Sequence, residues 1–171
     1  LSTSFDSLRF ASKWMPFDQV EFAYPQVTII EAIKKNIGSK RIYGNLGAEV
    51  TTYYGFPSLE GYDPLYIGKY GEFIRGDANG EFLKGERSVV KLDRRGKYTD
   101  RVLYLLGVGL FFLPIADTNQ GWAYPVWENK ERYELVYKDD KFQLFKNKLA
   151  HVRAILFYNF EVIKDNKEII K

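Results

Sequence analysis

VLYLLGVGLFFLPI, residues 102–115, is the longest apolar run in the chain, and it decides the fold. A membrane-spanning helix needs about 20 apolar residues, whereas this run is shorter and is interrupted by two glycines and a proline. Its first part completes a helical pattern over Tyr98–Leu106, which Gly107 ends. Val108–Leu113 has the branched and aromatic side chains of a fully buried strand. The run therefore predicts a helix followed directly by a core strand.

A second helix and strand are predicted upstream of this run. Thr28 and Glu31 have the spacing of a capping box, and Gly38 is suited to end the helix that they begin. The buried face of this helix is predicted by apolar residues at helical spacing: Ile30, Ile33 and Ile37. Arg41–Gly44 then reads as a short strand, so helix and strand alternate.

Downstream of the run, Asp139-Asp140 separates Tyr133–Lys138 from Lys141–Lys146. Asp tolerates the left-handed backbone that tight hairpin turns need, so a β-hairpin is expected. Ala154–Ile163 is a further strand candidate. Asp165–Lys171 has the pattern of the first turn of a helix.

The remaining segments carry weaker signals. We expect Leu1–Gln19 to be an irregular lead-in that anchors through Trp14, Met15 and Phe17. Glu49–Tyr54 is rich in Thr and Tyr and is expected to be a strand.

A helix, a short strand and a loop complete the prediction. Pro64 suits the first turn of a helix that continues to Ile74, with Asp63 as its N-cap. Ser88–Leu92 can hold a short strand, and Asp117–Asn129 is expected to be a surface loop that carries Trp122 and Trp127. Taken together, the elements predict a single α+β domain over residues 1–171, with a mixed β-sheet, about three helices and a C-terminal β-hairpin.

Composition excludes several kinds of chemistry. The chain has no cysteine and one histidine, His151, so disulfides, zinc sites and catalytic triads are not expected. The net charge of +3 comes from basic residues interspersed with acids, which argues against a nucleic-acid partner. The glycine-containing loops lack the spacing of nucleotide-binding motifs, so no cofactor and no metal are predicted.

Two features leave alternatives open. Aromatic residues make up 17% of the chain, which fits either a β-rich core or a groove that stacks Tyr and Trp rings against sugars. Carboxylates that converge in one cleft would point instead to a soluble hydrolase-type enzyme. The candidates for such a pair are Glu60, Asp63, Asp93 and Asp100.

Several short motifs, in their order along the chain, resemble the extracytoplasmic region of YfhO-like bacterial membrane proteins. They are Tyr24-Pro25 with its following helix, Arg41-Ile42, Tyr53-Tyr54-Gly55-Phe56, Gly61-Tyr62-Asp63-Pro64-Leu65, Leu105-Leu106-Gly107-Val108, Phe142–Asn147, Val152-Arg153-Ala154 and Glu161-Val162. Two positions depart from the family pattern: Val152 replaces the proline of Pro-Arg-Ala, and Gly109 stands where the family tends to have a larger residue.

The resemblance implies a polytopic membrane protein of the GT-C glycosyltransferase type, which uses a lipid-linked sugar donor. This domain would be an internal piece of that protein, at the cell membrane on the extracytoplasmic side. The catalytic acid would lie elsewhere, so the domain would be noncatalytic alone. Its partners would be its own transmembrane region and a glycan or lipid-linked sugar.

Arg41, Tyr62 and Asp63 are the ligand-binding candidates under this reading. Helix capping by Asp63 and a strand-edge ion pair of Arg41 explain these residues equally well. The alternative function is an extracellular carbohydrate-binding or interaction module without transferase activity.

Overall fold

The computed structural model describes residues 2–14, 19–44, 46–85, 88–92, 95–115, 126 and 129–170. The helices are α1 (Ser2–Trp14), α2 (Val20–Ala23), α3 (Thr28–Ile37), α4 (Ala48–Tyr54), α5 (Gly68–Arg75), α6 (Thr99–Leu105) and α7 (Asn166–Ile169). The strands are β1 (Arg41–Tyr43), β2 (Gly61–Tyr62), β3 (Val89–Val90), β4 (Val108–Pro114), β5 (Tyr133–Lys138) and β6 (Phe142–Asn147). The predicted α+β class is confirmed.

A four-stranded mixed sheet with the order β1-β4-β6-β5 forms the centre of the fold. β1 runs parallel to β4, while β6 is antiparallel to both β4 and β5. β5 and β6 are the predicted hairpin. On the outer edge of β1, Ile42 forms an isolated parallel β-bridge with Ser58. A short irregular segment after α4 therefore lies next to β1.

Helices cover the two faces of this sheet. On one face, the isoleucines of α3 pack against Ile42, Leu110 and Leu144. On the other face, side chains of α5 and α6 such as Ile74 and Leu103 share a cluster with β4 residues. β4 is buried from Val108 through Leu113, which confirms the predicted core strand.

The helix predicted from Thr28 is confirmed, but its capping box is wrong. Val27 occupies the N-cap position, and no side chain caps the helix. Thr28 Oγ1 instead lies 2.8 Å from the Tyr137 hydroxyl on β5, and the Glu31 carboxylate pairs with Lys34. The helix ends as expected at Gly38, where φ is 53°.

The prediction of an irregular lead-in is wrong, because residues 2–14 form α1. None of its residues is buried, so Trp14 is no anchor. The segment contains no glycine or proline, so its helical propensity is sufficient to form α1. The prediction looked for an apolar periodicity, which this segment lacks. Met15 and Phe17 lie outside the described residues.

The strand predicted at Glu49–Tyr54 is also wrong, since Ala48–Tyr54 forms α4. Thr51 Oγ1 donates to the backbone carbonyls of Gly47 and Ala48, which satisfies its hydroxyl within the helix. Gly55 then ends the helix in the left-handed conformation. The β-propensity of Thr and Tyr is a weak preference that the context overrides here.

Two further predictions differ from the structure. The helix expected from Pro64 begins at Gly68, and the segment before it contains a turn. Ala154–Ile163 has no regular secondary structure and pairs with no described strand, so the predicted strand is wrong. Most of the predicted loop at Asp117–Asn129, with Trp122 and Trp127, lies outside the described residues. The short strand near Ser88 and the helix after Asp165 are confirmed as β3 and α7.

None of the helices described above is long and apolar enough to cross a membrane.

Candidate functional site

Two adjoining cavities lie beside α4 and the small β2–β3 sheet. The larger has a volume of about 550 Å³ and the smaller about 280 Å³. Tyr62 lines both cavities, which also share Ser58 and Glu60. We call the two cavities together the Tyr62 groove; the residues used below are Ser58, Glu60, Tyr62, Asp63 and Arg153.

Backbone and side-chain hydrogen bonds fix the wall of this groove to the main sheet. The Ile42 amide donates to the Pro57 carbonyl over 2.8 Å, next to the bridge at Ser58. Ser58 Oγ accepts the Glu60 amide, and Glu60 Oε2 accepts the Gly44 amide over 3.3 Å. These hydrogen bonds connect the groove wall to β1 and Gly44, although β2 and β3 are each only two residues long.

Tyr62 and Asp63, two of the predicted ligand-binding residues, both line the larger cavity of the groove. The Tyr62 side chain is 67% exposed, and β2 holds it through its pairing with Val89. Asp63 Oδ1 accepts the Leu65 amide over 2.7 Å, which forms a local turn. The predicted N-cap role of Asp63 is wrong, because Ile67 is the N-cap residue of α5.

Arg153 is a groove residue that the prediction of ligand-binding residues missed. Arg153 lines the larger cavity together with Tyr62 and Asp63. Among the described residues, no partner is found for the Arg153 guanidinium, for the Tyr62 hydroxyl or for Asp63 Oδ2. Val152-Arg153-Ala154 was one of the motifs of the resemblance, yet nothing in its sequence spacing places it near Tyr62.

Arg41 lies outside the groove. Its Nη1 donates to the Leu106 carbonyl over 2.6 Å, and its backbone amide donates to the Gly107 carbonyl. Arg41 thereby joins β1 to the end of α6. Neither cavity of the groove includes it, so the ligand-binding role predicted for Arg41 has no geometric support.

Tyr70 is a partly buried residue next to the groove wall, and its hydroxyl is close to the charged groups of Arg41 and Glu60. Burial raises the pKa of the Tyr70 hydroxyl above its ordinary value of 10.0; Arg41 lowers it and Glu60 raises it further. The hydroxyl donates to the Leu59 carbonyl over 2.6 Å. Tyr70 thus packs under the segment that carries Glu60, with its proton held in a hydrogen bond.

Of the four carboxylates considered for an enzyme, Glu60 and Asp63 line the same cavity. Glu60 Oε2 accepts the Gly44 amide, and Asp63 Oδ1 accepts the Leu65 amide. Asp100 lies elsewhere and pairs with Arg132 over 3.3 Å, while Asp93 is outside the described residues. No group of three metal-ligating side chains occurs in the described ranges.

His151 has a ring contact with Tyr104, with centroids 4.1 Å apart. It lines neither cavity of the groove.

An apolar cavity of about 360 Å³ lies on the opposite side of α4, between α2, α3 and the ends of β4 and β6. Tyr24, Val27 and Tyr54 contribute to its rim. Tyr24 stacks on Tyr53 with centroids 3.9 Å apart. The Tyr24-Pro25 motif therefore packs against α4 and is not part of the Tyr62 groove.

The structure is a small α+β domain with an open groove whose lining is part polar and part apolar. Comparison with protein families, curated proteins and solved structures gives no match for this chain.

Proposed function

We propose that this domain recognises a glycan in the Tyr62 groove, as a noncatalytic extracytoplasmic part of a membrane glycosyltransferase that uses a lipid-linked sugar donor. The observation that carries the proposal is the convergence of an exposed Tyr62 ring with the unpartnered polar atoms of Asp63 and Arg153 on one cavity. The resemblance to YfhO-like proteins supports the membrane part.

The chemistry of the groove suits a sugar. A pyranose presents an apolar face and a rim of hydroxyls, so it needs a flat aromatic contact and polar groups at its edge. Tyr62 can supply the flat contact. Asp63 Oδ2 can accept from sugar hydroxyls and Arg153 can donate to them, because neither group is committed to another described residue.

The size of the groove also fits this role. Small-ligand sites commonly have volumes of roughly 300–1,000 Å³, and the larger cavity of about 550 Å³ falls in that range. Its openness to solvent suits part of a polymer or glycan chain that continues beyond the cavity. The size and the openness of the groove therefore fit a site that recognises such a chain.

Glycan binding is tested by titrating the purified chain with oligosaccharides of the cell envelope and following backbone amide shifts by NMR. Tyr62→Ala is expected to weaken binding about tenfold or more, since it removes the aromatic contact. Asp63→Asn keeps an oxygen for the Leu65 amide but removes the charge, so it should weaken binding without loosening the turn. Tyr158→Ala removes an exposed ring outside the groove and is the matched control.

The result that would overturn glycan recognition is an unsubstituted chain whose groove amides do not shift with any envelope oligosaccharide. Equal losses for Tyr62→Ala and Tyr158→Ala would also overturn the assignment to this groove. The membrane part is tested separately, by fractionating cells that express the full-length protein. Recovery in the soluble fraction would favour the alternative, a free carbohydrate-binding module.

A further inference from the structure

The two cavities of the Tyr62 groove adjoin along a shared border. The residues that line both cavities are Ala48, Ser58, Glu60, Gly61 and Tyr62. Because the same residues face both spaces, a molecule that lies against this border contacts both cavities at once. The border is therefore the place where one ligand can pass from the larger cavity to the smaller one.

Gly61 leaves the middle of this border open. It is the first residue of β2, and a Cβ at this position would meet nothing within 4 Å apart from its own neighbours in the chain. The backbone of Gly61 is outside the left-handed region, so its conformation does not require a glycine. Any larger side chain here would project into the space that the two cavities share.

A single sugar unit is small compared with the groove. A hexose occupies about the volume of six water molecules, roughly 180 Å³ at ~30 Å³ each. It would fit into the smaller cavity of about 280 Å³, and it would fill only about a third of the larger cavity of about 550 Å³. One unit therefore leaves most of the groove in contact with water.

We propose that the groove binds a chain of at least two linked sugars, with one unit in each cavity and the linkage crossing the border at Gly61. This inference rests on the proposed glycan recognition and adds the class of glycan, which is an oligosaccharide or polysaccharide and not a free monosaccharide. The exposed ring of Tyr62 lines both cavities, so it can contact a unit in each of them.

Each cavity also offers polar groups to its own sugar unit. In the larger cavity, Arg153 can donate and Asp63 Oδ2 can accept hydrogen bonds. In the smaller cavity, Lys91 brings an ammonium group with three donors. Binding of the second unit is intramolecular once the first unit is bound, so affinity should rise with chain length.

NMR titration with sugars of increasing length tests this inference. The probes are a hydrolysate of the envelope polysaccharide, fractionated into sugars of one, two and three units. The two-unit sugar should bind about tenfold or more tightly than the one-unit sugar. It should shift amides that belong to the smaller cavity alone, Gly47 and Lys91, together with amides that belong to the larger cavity alone, Thr52 and Gly55.

Two variants probe the path between the cavities. Gly61→Val places a branched side chain at the border, at a strand position that suits valine, and should bring the ratio of two-unit to one-unit affinity close to one. Lys91→Met removes donors from the smaller cavity only and should also lower this ratio. The matched control is Gly68→Val, since a Cβ at Gly68 also meets nothing within 4 Å and Gly68 lines neither cavity.

The outcomes separate this inference from the proposed function. Equal affinity for one-unit and two-unit sugars, or a two-unit sugar that shifts the amides of one cavity only, would overturn the inference and leave glycan recognition in place. A Gly61→Val variant with the full affinity ratio of the Gly68→Val control would overturn the crossing at Gly61. A groove whose amides shift with no sugar of any length would overturn the proposed function itself, and this inference with it.

Discussion

Polar side chains differ between the four-stranded sheet and the Tyr62 groove: buried ones in the sheet are hydrogen-bonded, and some of those in the groove have no described partner. In the sheet, the buried Asn147 donates to the Val108 carbonyl and accepts the Leu149 amide, so both ends of its amide are paired. In the groove, polar atoms of Tyr62 and Arg153 have no partner among the described residues. Burial forces pairing because an unsatisfied group is costly away from water, whereas a solvated groove can keep its groups for a ligand.

If this contrast is right, substitutions in the sheet change stability and substitutions in the groove change binding. The largest effect is expected for Phe111→Ala. Phe111 is fully buried and packs edge-on against Tyr43 and Tyr133, with centroids 5.8 Å and 5.2 Å away. Truncation leaves a cavity between the layers and should lower the free energy of unfolding by about 4 kcal/mol.

Urea unfolding followed by circular dichroism measures this change. Phe157→Ala removes the same ring from an exposed position and serves as the control, with an expected change within about 0.5 kcal/mol. A Phe111→Ala variant as stable as this control would mean that the sheet is not the stabilising core.

The second prediction concerns Gly44, where the sheet meets the groove. Its φ is 136°, and a Cβ there would overlap the Phe112 carbonyl oxygen. Gly44→Ala should therefore cost on the order of 3 kcal/mol, from backbone strain and the displacement of β4. The same substitution disturbs the amide that Glu60 accepts, so groove amides should shift in NMR spectra.

Gly61→Ala is the control for Gly44→Ala, because nothing lies within 4 Å of a Cβ at position 61. Its unfolding midpoint should stay near that of the unsubstituted chain. Equal destabilisation by the two substitutions would contradict the close approach of Gly44 to β4.

The same contrast explains which predictions from the sequence were confirmed. β4, α3 and the β5–β6 hairpin were predictable because burial imposes apolar patterns, and Gly38 and Asp139-Asp140 mark their ends. The helices at Ser2–Trp14 and Ala48–Tyr54 were not predicted, because α1 has no buried residue and α4 fully buries only Thr51, with Val50 and Tyr54 partly buried. Local propensity alone decides such segments, and it is a weak guide.

The groove was only half predictable for a related reason. Tyr62 and Asp63 are neighbours in sequence, so one motif captures both. Arg153 reaches them from a segment about 90 residues further along the chain, and no local pattern carries that information. Arg41 was a candidate because it belongs to a motif of the resemblance, but its guanidinium donates to the Leu106 carbonyl.

A smaller effect on stability is expected at the hairpin turn, and it depends on pH. Asp139 Oδ2 accepts the Tyr137 hydroxyl over 2.7 Å, and Oδ1 accepts the amides of Phe142 and Lys141 over 2.6 and 2.8 Å. These bonds, led by that of Tyr137, lower the pKa of Asp139 below its ordinary value of 3.8. The charged carboxylate therefore favours the folded chain above pH 3.8.

This stabilisation is lost as the pH falls through the lowered pKa of Asp139. Urea unfolding at a series of acidic pH values should show a steeper loss for the unsubstituted chain than for Asp139→Asn. Asp140→Asn, at the neighbouring position that accepts none of these bonds, should keep the original slope. Parallel pH profiles for all three proteins would contradict the role of Asp139.

The smallest effect on stability, and the sharpest separation of the two regions, is expected for Arg153→Met. The Arg153 side chain is exposed and has no described partner, so the free energy of unfolding should change by no more than about 0.5 kcal/mol. Glycan affinity should nevertheless fall, since Arg153 lines the larger cavity and the variant lacks its hydrogen-bond donors. Arg153→Lys retains the charge without the planar donors and should restore affinity only in part. Unchanged glycan affinity for both variants would mean that Arg153 does not contribute to the site. A large loss of stability would mean that the Arg153 side chain stabilises the fold, as the hydrogen-bonded groups of the sheet do.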